Sequence, residues 1–360
     1  MSVSVQGIPC MVMRGGTSKG AYFVRDDLPS DPHDRDQLLL RIMGTPDPRQ
    51  IDGIGGAHPL TSKVAVVGPD REGRGDIEYM FLQLGVDEPT VTDRQYCGNI
   101  LAGVGPFAVE RGLVPVDGDR VTVNIHMLNF DSYATATFPV TDGCPVYSGD
   151  QHISGVPGTG APIRLDFQGL AGSTTGSLLP SGHAVDELEG VECTLVDNGM
   201  PVVVIRASDV GVTGYESCAE LEANEQLRGH LEAIRRSAAG PMNLGDVAEA
   251  SVPKMTLVAP PRRGGNISTR TFIPHRCHQA IGVLGAVSVA TAALIPGSTA
   301  AGSMEPTTQG TVTLEHPTGL FETIIEVGIG DGGSPVVNRA GIVRTARKLM
   351  DGTVYPRSYD

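Results

Sequence analysis

The chain has 360 residues, enough for one large domain or two of ordinary size. Its formal charge is −14, so it lacks the basic footprint that nonspecific DNA or RNA binding requires. Gly (47) and Pro (26) make up about a fifth of the chain, against about 12 % in average usage, yet 40 % of residues are hydrophobic; this reads as many short strands joined by tight turns, not as a disordered tail.

Residues 1–6 show no basic stretch leading into an apolar run, so no signal peptide is expected. In chain order the pattern then predicts a strand at 21–25, a charged amphipathic helix at 34–43, and strands at 63–67 and 77–84. A helix follows at 98–111, with Ile100, Leu101, Val104, Phe107 and Ala108 at helical spacing and Pro106 expected to kink or end it. Strands are predicted at 121–126, 133–138, 163–167, 191–196 and 202–207, then an amphipathic helix at 218–236 and a strand at 255–259. The segment 279–293 is apolar on every face and rich in Gly, Ala and Ser, as a helix buried all round would be; strands at 310–314 and 322–328 follow. The longest apolar run, 280–295, is shorter than the roughly 20 residues of a membrane span. Six cysteines at 10, 97, 144, 193, 218 and 277 form no CxxC pair, which points to reduced thiols in a cytoplasmic protein.

Order and spacing suggest an internal duplication. The turn Gly15-Gly16-Thr17-Ser18 runs into a strand, and about eighty residues later Cys97-Gly98-Asn99 opens a small-residue helix. Asp197-Asn198-Gly199-Met200-Pro201 also runs into a strand, and about eighty residues later His275-Arg276-Cys277-His278 precedes the second small-residue helix. The expected architecture is two β-rich halves related by a pseudo-twofold, each wrapped round one helix. The expected division is 1–178, joined by a C-terminal strand at 340–360, and 179–339.

Several residues stand where chemistry could occur. Cys97 falls at the start of a buried helix, where free N–H groups and the dipole favour a thiolate; it reads as an acid/base group or as an inert buried cysteine. Lys63 ends a glycine-rich loop and opens an apolar strand. It reads as a desolvated base with a lowered pKa or as an ordinary lysine at a strand end. Gly15–Ser18 lacks Walker spacing and leads into a strand, so a nucleotide is not expected, but its amides and the Thr17 and Ser18 hydroxyls could cradle a carboxylate. Arg14 and Arg276 suit bidentate carboxylate pairing or structural ion pairs. His275, Cys277 and His278 lack acidic ligands nearby, so no metal is expected. His278, read as the first residue of the second buried helix, is suited to donate to a carboxylate or an enolate oxygen.

At these positions the chain resembles the PrpF-type isomerases. The resemblance rests on 13–20 (Met-Arg-Gly-Gly-Thr-Ser-Lys-Gly), 51–56 (Ile-Asp-Gly-Ile-Gly-Gly), 60–63 (Leu-Thr-Ser-Lys) and 97–107, which opens Cys-Gly-Asn. Motifs at 197–201, 242–246 and 272–278 place it nearest the 4-oxalomesaconate tautomerases (Δ-isomerases) within that family. The resemblance runs from about 8 to 355. It implies an α+β, diaminopimelate-epimerase-like fold: two pseudo-symmetric β-barrel-like halves, each wrapped round a central helix, with the active site between them. It also implies a cofactor-independent isomerase acting on 4-oxalomesaconate in gallate and protocatechuate breakdown, with Lys63 and Cys97 as the acid/base pair; the alternatives are a 2-methylaconitate or methylitaconate isomerase, or a non-catalytic carboxylate-binding protein on the same fold. Gly15, Gly16, Thr17, Ser18, Ser62, Gly98, Asn99, Asn198, Arg276 and His278 become the expected substrate-binding set. The only expected ligand is a small polycarboxylate; no metal, nucleic acid or membrane is expected, and a homodimer is admitted. The histidines flanking Cys277 depart from the racemase pattern, which favours a Lys63–Cys97 pair over two facing thiols.

Overall fold

The computed structural model describes residues 6–94, 97–307 and 310–358. Residues 1–5, read above for a leader, and 359–360 of the expected C-terminal strand lie outside the described residues. Two compact units divide the chain, 1–165 with 344–360, and 166–343.

In the first unit β1 (Ile8–Gly15) turns through Gly16 and Thr17 into the antiparallel β2 (Ser18–Val24). The outer helix α1 (Pro32–Met43) starts at Asp31, whose carboxylate accepts the Asp34 N–H, and has Pro32 at its first position. Its apolar side, with Leu38, Leu39 and Ile42, packs on Ala21, Phe23, Val64 and Val66. Next come β3 (Lys63–Pro69), parallel to β2, and β4 (Ile77–Leu84), antiparallel to β3. A short β5 (Val91–Thr92) leads to α2 (Gly98–Glu110), then β6 (Arg120–Met127), parallel to β4, and β7 (Ser132–Thr141), antiparallel to β6. The two-residue β8 (Cys144–Pro145) and β9 (Ile163–Gln168) complete this part of the chain.

Every residue of α2 from Ile100 to Val109 is buried, and the helix packs against β1, β2, β3, β4, β6 and β7. The strands thus enclose a helix with no polar face. Its glycines are what allow the enclosure: a Cβ at Gly105 would stand 2.6 Å from the Phe138 ring. Pro106 does not end α2, which continues to Glu110.

The second unit opens with β10 (Asp186–Leu188), β11 (Val191–Asp197) and β12 (Pro201–Arg206), paired antiparallel in turn. Thr174 and Thr175 donate backbone N–H groups to Asp197, so the turns before β10 run with this unit. The expected helix 218–236 is two helices, α3 (Cys218–Ala223) and α4 (Glu225–Ala238). Asn224 divides them: it leaves helical geometry and its side chain accepts the Leu227 N–H, restarting the helix. Leu227, Leu231 and Ile234 of α4 pack on Cys193, Leu195, Val203 and Ile205. β13 (Lys254–Ala259) is parallel to β12, and β14 (Ile267–Phe272) is antiparallel to β13. The buried α5 (Val283–Leu294) follows, then β15 (Thr311–His316), parallel to β14, β16 (Gly319–Ile329) and β17 (Pro335–Arg344). The chain returns to the first unit in β18 (Ala346–Val354), which pairs with β1.

The expected start of the second buried helix is corrected. His278 lies outside it; the helix begins at Val283 after Gly282, whose extended φ/ψ of −68° and 146° mark the cap. The His278 N–H is spent on the Thr271 carbonyl. No helix among the described residues is long and apolar enough to cross a membrane.

Candidate active site

In the first unit, the turn, the starts of two strands and one helix start meet around Gly20. Gly15 pairs with Ser18 across the turn, and Gly16 has φ +49°, a conformation that favours glycine. A Cβ on Gly15 would strike the carbonyl oxygen of Asn99, and one on Gly16 would strike the Asn99 side chain. Both glycines are therefore needed for the turn to lie against the first turn of α2. Asn99 Nδ2 closes the contact by donating to Thr17 Oγ1 at 3.0 Å. Gly20 faces Lys63 in the parallel ladder, and a Cβ there would be 2.7 Å from the Lys63 carbonyl oxygen and 3.1 Å from Ile100 Cδ1. The start of β3 and the first turn of α2 thus flank one residue of β2.

Lys63 is 8 % exposed. Its Nζ donates to Gln83 Oε1 at 2.5 Å and stands 5.0 Å from the centre of the Phe81 ring. Gln83 lies directly opposite on β4 and donates in turn to the Ser62 carbonyl, so the ammonium is held by a braced amide. Cys97 is the N-cap of α2 and is half-buried; its side chain makes no capping bond. The first intrahelical bond runs from Leu101 N–H to the Cys97 carbonyl, which leaves the Gly98 and Asn99 N–H groups at the open, positive end of the helix. Ser18 Oγ is buried with no hydrogen-bond partner among the described residues, a donor available to a ligand oxygen.

Other expected residues act as braces. Ser62 is fully buried and donates to Gln50 Oε1 at 2.8 Å. Gln50 also accepts the Ala57 N–H and donates to Thr45 Oγ1, pinning the glycine loop around itself. Arg14 donates to the Gly16 and Thr345 carbonyls, so its guanidinium holds the turn. Gln50 and Gln83 escape sequence reading. The available signal for Gln83 is a polar residue set between Leu82 and Leu84 at the end of the strand.

In the second unit Asn198 is fully buried, with its N–H on Ser288 Oγ and its Nδ2 on Thr291 Oγ1, so it ties the Gly199 turn (φ +90°) to α5. Arg276 is exposed and His278 half-buried. His278 Nδ1 accepts the Ala280 N–H at 2.8 Å, which leaves Nε2 as the N–H of the neutral ring. Burial first, then the charge of Lys254, hold its pKa below the usual histidine value. Cys277 is buried, and burial together with the neighbouring Cys218 pushes its thiol up, away from thiolate formation. His275 faces Glu232 at 3.7 Å. These three side chains are engaged separately and do not converge as ligands.

Ligand-type atoms do converge at Asp70, Glu78 and His126, within 4.8 Å of one another. Arg25 sits on Glu78, and Asp70 accepts N–H groups from Glu72, Arg74 and Gly75, so the protein's own donors serve both carboxylates.

The PrpF protein family model matches residues 5–357. A (4E)-oxalomesaconate Δ-isomerase from a Novosphingobium species is 57 % identical, covering 98 % of both chains. A 4-oxalomesaconate tautomerase from Pseudomonas putida is 53 % identical, covering 96 % of this chain and 95 % of its own. The crystal structure of a methylitaconate Δ-isomerase superposes with a TM-score of 0.90 at 34 % identity, covering 98 % of this chain and 96 % of the other. The two relatives share its sequence over nearly the whole length, the solved isomerase shares its sheet-rich α+β fold, and the chain belongs to the PrpF family.

Proposed function

We propose that this chain is a cofactor-independent isomerase that moves a proton and a double bond in 4-oxalomesaconate. The observation that carries the reading is the braced Lys63 ammonium at the strand end that flanks, across Gly20, the open helix start of Cys97. The 57 % and 53 % identities to proteins named for 4-oxalomesaconate favour that acid over methylitaconate, the substrate class of the 34 % identical structure.

In this mechanism Lys63, as the neutral amine, takes a proton from a carbon made acidic by conjugation to the keto group. The C–H electron pair enters the π system as a dienolate. The Gly98 and Asn99 N–H groups, with the Gly15–Ser18 turn, hold carboxylate and developing oxyanion charge. A proton then returns to the carbon two positions away, from Cys97 Sγ or from the Lys63 ammonium, and the double bond shifts. Ser62 holds the glycine loop in place through Gln50. Local donors of this kind offset the repulsion between a −14 chain and a trianion, which salt also screens.

We also read the two units as diaminopimelate-epimerase-like, pseudo-symmetric halves. Supporting this, β1-β2-β3-β4-β6-β7 and β11-β12-β13-β14-β15-β16 both pair antiparallel, parallel, antiparallel, parallel, antiparallel. In each series an outer helix follows the second strand and a buried helix follows the fourth.

The test is proton NMR of 4-oxalomesaconate with enzyme in deuterium oxide. Deuterium entering at the two ends of the allylic system, with conversion to the isomer, is the expected result. No conversion of this acid, with turnover of methylitaconate instead, would replace the substrate and keep the reaction class.

A further inference from the structure

Lys63 and Lys254 occupy the same position in two strand ladders. Lys63 is the first residue of β3 and faces Gly20 on the parallel β2; Lys254 is the first residue of β13 and faces Val202 on the parallel β12. β2 and β12 each leave a turn with a glycine at positive φ, Gly16 and Gly199. Alternate residues of each strand pack toward the outer helix: Val64 and Val66 toward α1, Met255, Leu257 and Ala259 toward α4. By strand alternation both lysines fall on the opposite face. Each is 8 % exposed.

They differ in what holds the ammonium. Lys63 has Gln83, whereas among the described residues Lys254 has no hydrogen bond or ion pair, and no carboxylate acts on its charge. Burial, then the nearby Arg235, bring its pKa down to about 8. Arg235 is itself committed, to Glu232 and to the Ala250 and Val252 carbonyls. His278 lies one strand over: its N–H bonds the Thr271 carbonyl of β14, Thr271 pairs with Thr256 of β13, two residues along the strand from Lys254, and its Nε2–H is free of the Ala280 bond. A nearly buried cation without an anion costs stability. Beside a fixed N–H donor, it is the arrangement a ligand anion completes.

We propose that Lys254 and the Nε2–H of His278 form a carboxylate-binding site of the second unit, taking one carboxylate of a di- or tricarboxylic acid. The inference rests on the polycarboxylate reading above and adds a residue to it. Lys254 is a binding group here, whereas the base remains Lys63.

The test is calorimetric titration of the full chain with tricarballylate (propane-1,2,3-tricarboxylate) at fixed ionic strength and pH 7, alongside thermal melts. Lys254→Met is expected to weaken binding by about tenfold or more, and Lys254→Arg, which keeps the charge, by no more than about threefold. The Met variant is expected to keep or raise Tm, because it removes an unpaired ammonium at similar volume. Lost affinity with undiminished Tm is a pattern that a merely structural lysine does not give. Affinity within about twofold of the parent in Lys254→Met overturns the proposal, as does a loss of affinity that Lys254→Arg does not restore. A parent chain that binds no tricarboxylate overturns the polycarboxylate reading, and this inference with it, whereas equal binding by parent and variant overturns only the role of Lys254.

Discussion

Gly20 and Lys63 face each other in the parallel ladder of β2 and β3, so closely that a Cβ at residue 20 would lie 2.7 Å from the Lys63 carbonyl oxygen. The obstacle is backbone, which cannot rotate aside as a side chain would. On the other side is Ile100 of α2. Gly20→Ala must therefore push β3 or α2 away from β2. The expected cost is about 1–3 kcal/mol of stability, read from urea unfolding. The larger effect is on kcat, because a shift of about 1 Å in a reacting group can cost about a hundredfold. Full activity and unchanged unfolding would mean that this contact does not set the position of Lys63.

Lys63 and Gln83 form a second dependent pair. Lys63→Met removes the proposed base and should abolish both turnover and deuterium entry into substrate. Gln83→Leu leaves the amine but deletes its only hydrogen-bond acceptor among the described residues. We expect a fall in kcat of about tenfold or more with a smaller change in KM, since the loss is one of orientation. Equal kcat in Gln83→Leu and the parent would show that Lys63 is placed without this amide.

The two cysteines near the buried helices should separate cleanly. Cys97 is half-buried at a helix N-terminus; Cys277 is buried in the outer core with its thiol pushed up. Cys97→Ser is expected to lower kcat by about 10²-fold or more, a general acid/base effect. Cys277→Ala should leave kcat within about twofold and lower the unfolding midpoint, as loss of a buried side chain does. A catalytic loss in Cys277→Ala with intact folding would restore a two-thiol mechanism.

The legible parts of this fold are those governed by local periodicity. α2 announces itself through apolar residues at helical spacing, and Cys97 through the glycine that follows it. β3, β12 and β13 are nearly uniform runs of β-branched and other apolar residues. What escapes is set by partners distant in sequence. β1 mixes Pro9, Cys10, Met11 and Met13 and becomes a strand between β2 and β18, the latter more than 300 residues away. Gln83 acquires its role only through the register that sets it opposite Lys63. His278 is misread because apolar composition continues unbroken from 280, while the helix waits for Gly282 to turn the chain. The 218–236 pattern hides its break because α3 and α4 keep apolar contacts on one core, and only Asn224 marks the join.

Glu232 gives a prediction with a defined pH window. It accepts from Arg235 Nε at 2.7 Å and Nη2 at 2.9 Å, and Arg235 has a fully buried side chain. The Arg235 bonds, with Arg236 adding and burial opposing, pull the Glu232 carboxyl from 4.5 down to about 2. A depressed carboxyl stabilises the fold fully above its unfolded value and loses that contribution as pH falls through the folded one. Glu232→Gln should therefore be less stable than the parent at pH 7, by roughly 3 kcal/mol, because Arg235 keeps its buried charge without an anion. The gap should close as pH falls from about 4.5 towards about 2, where the parent's Glu232 is neutral as well. Urea midpoints of both proteins at pH 7, 4 and 3 give the comparison directly. No gap at pH 7 would mean that the Ala250 and Val252 carbonyls suffice to hold Arg235, and a gap of constant size across that range would mean that its source is not the charge of Glu232.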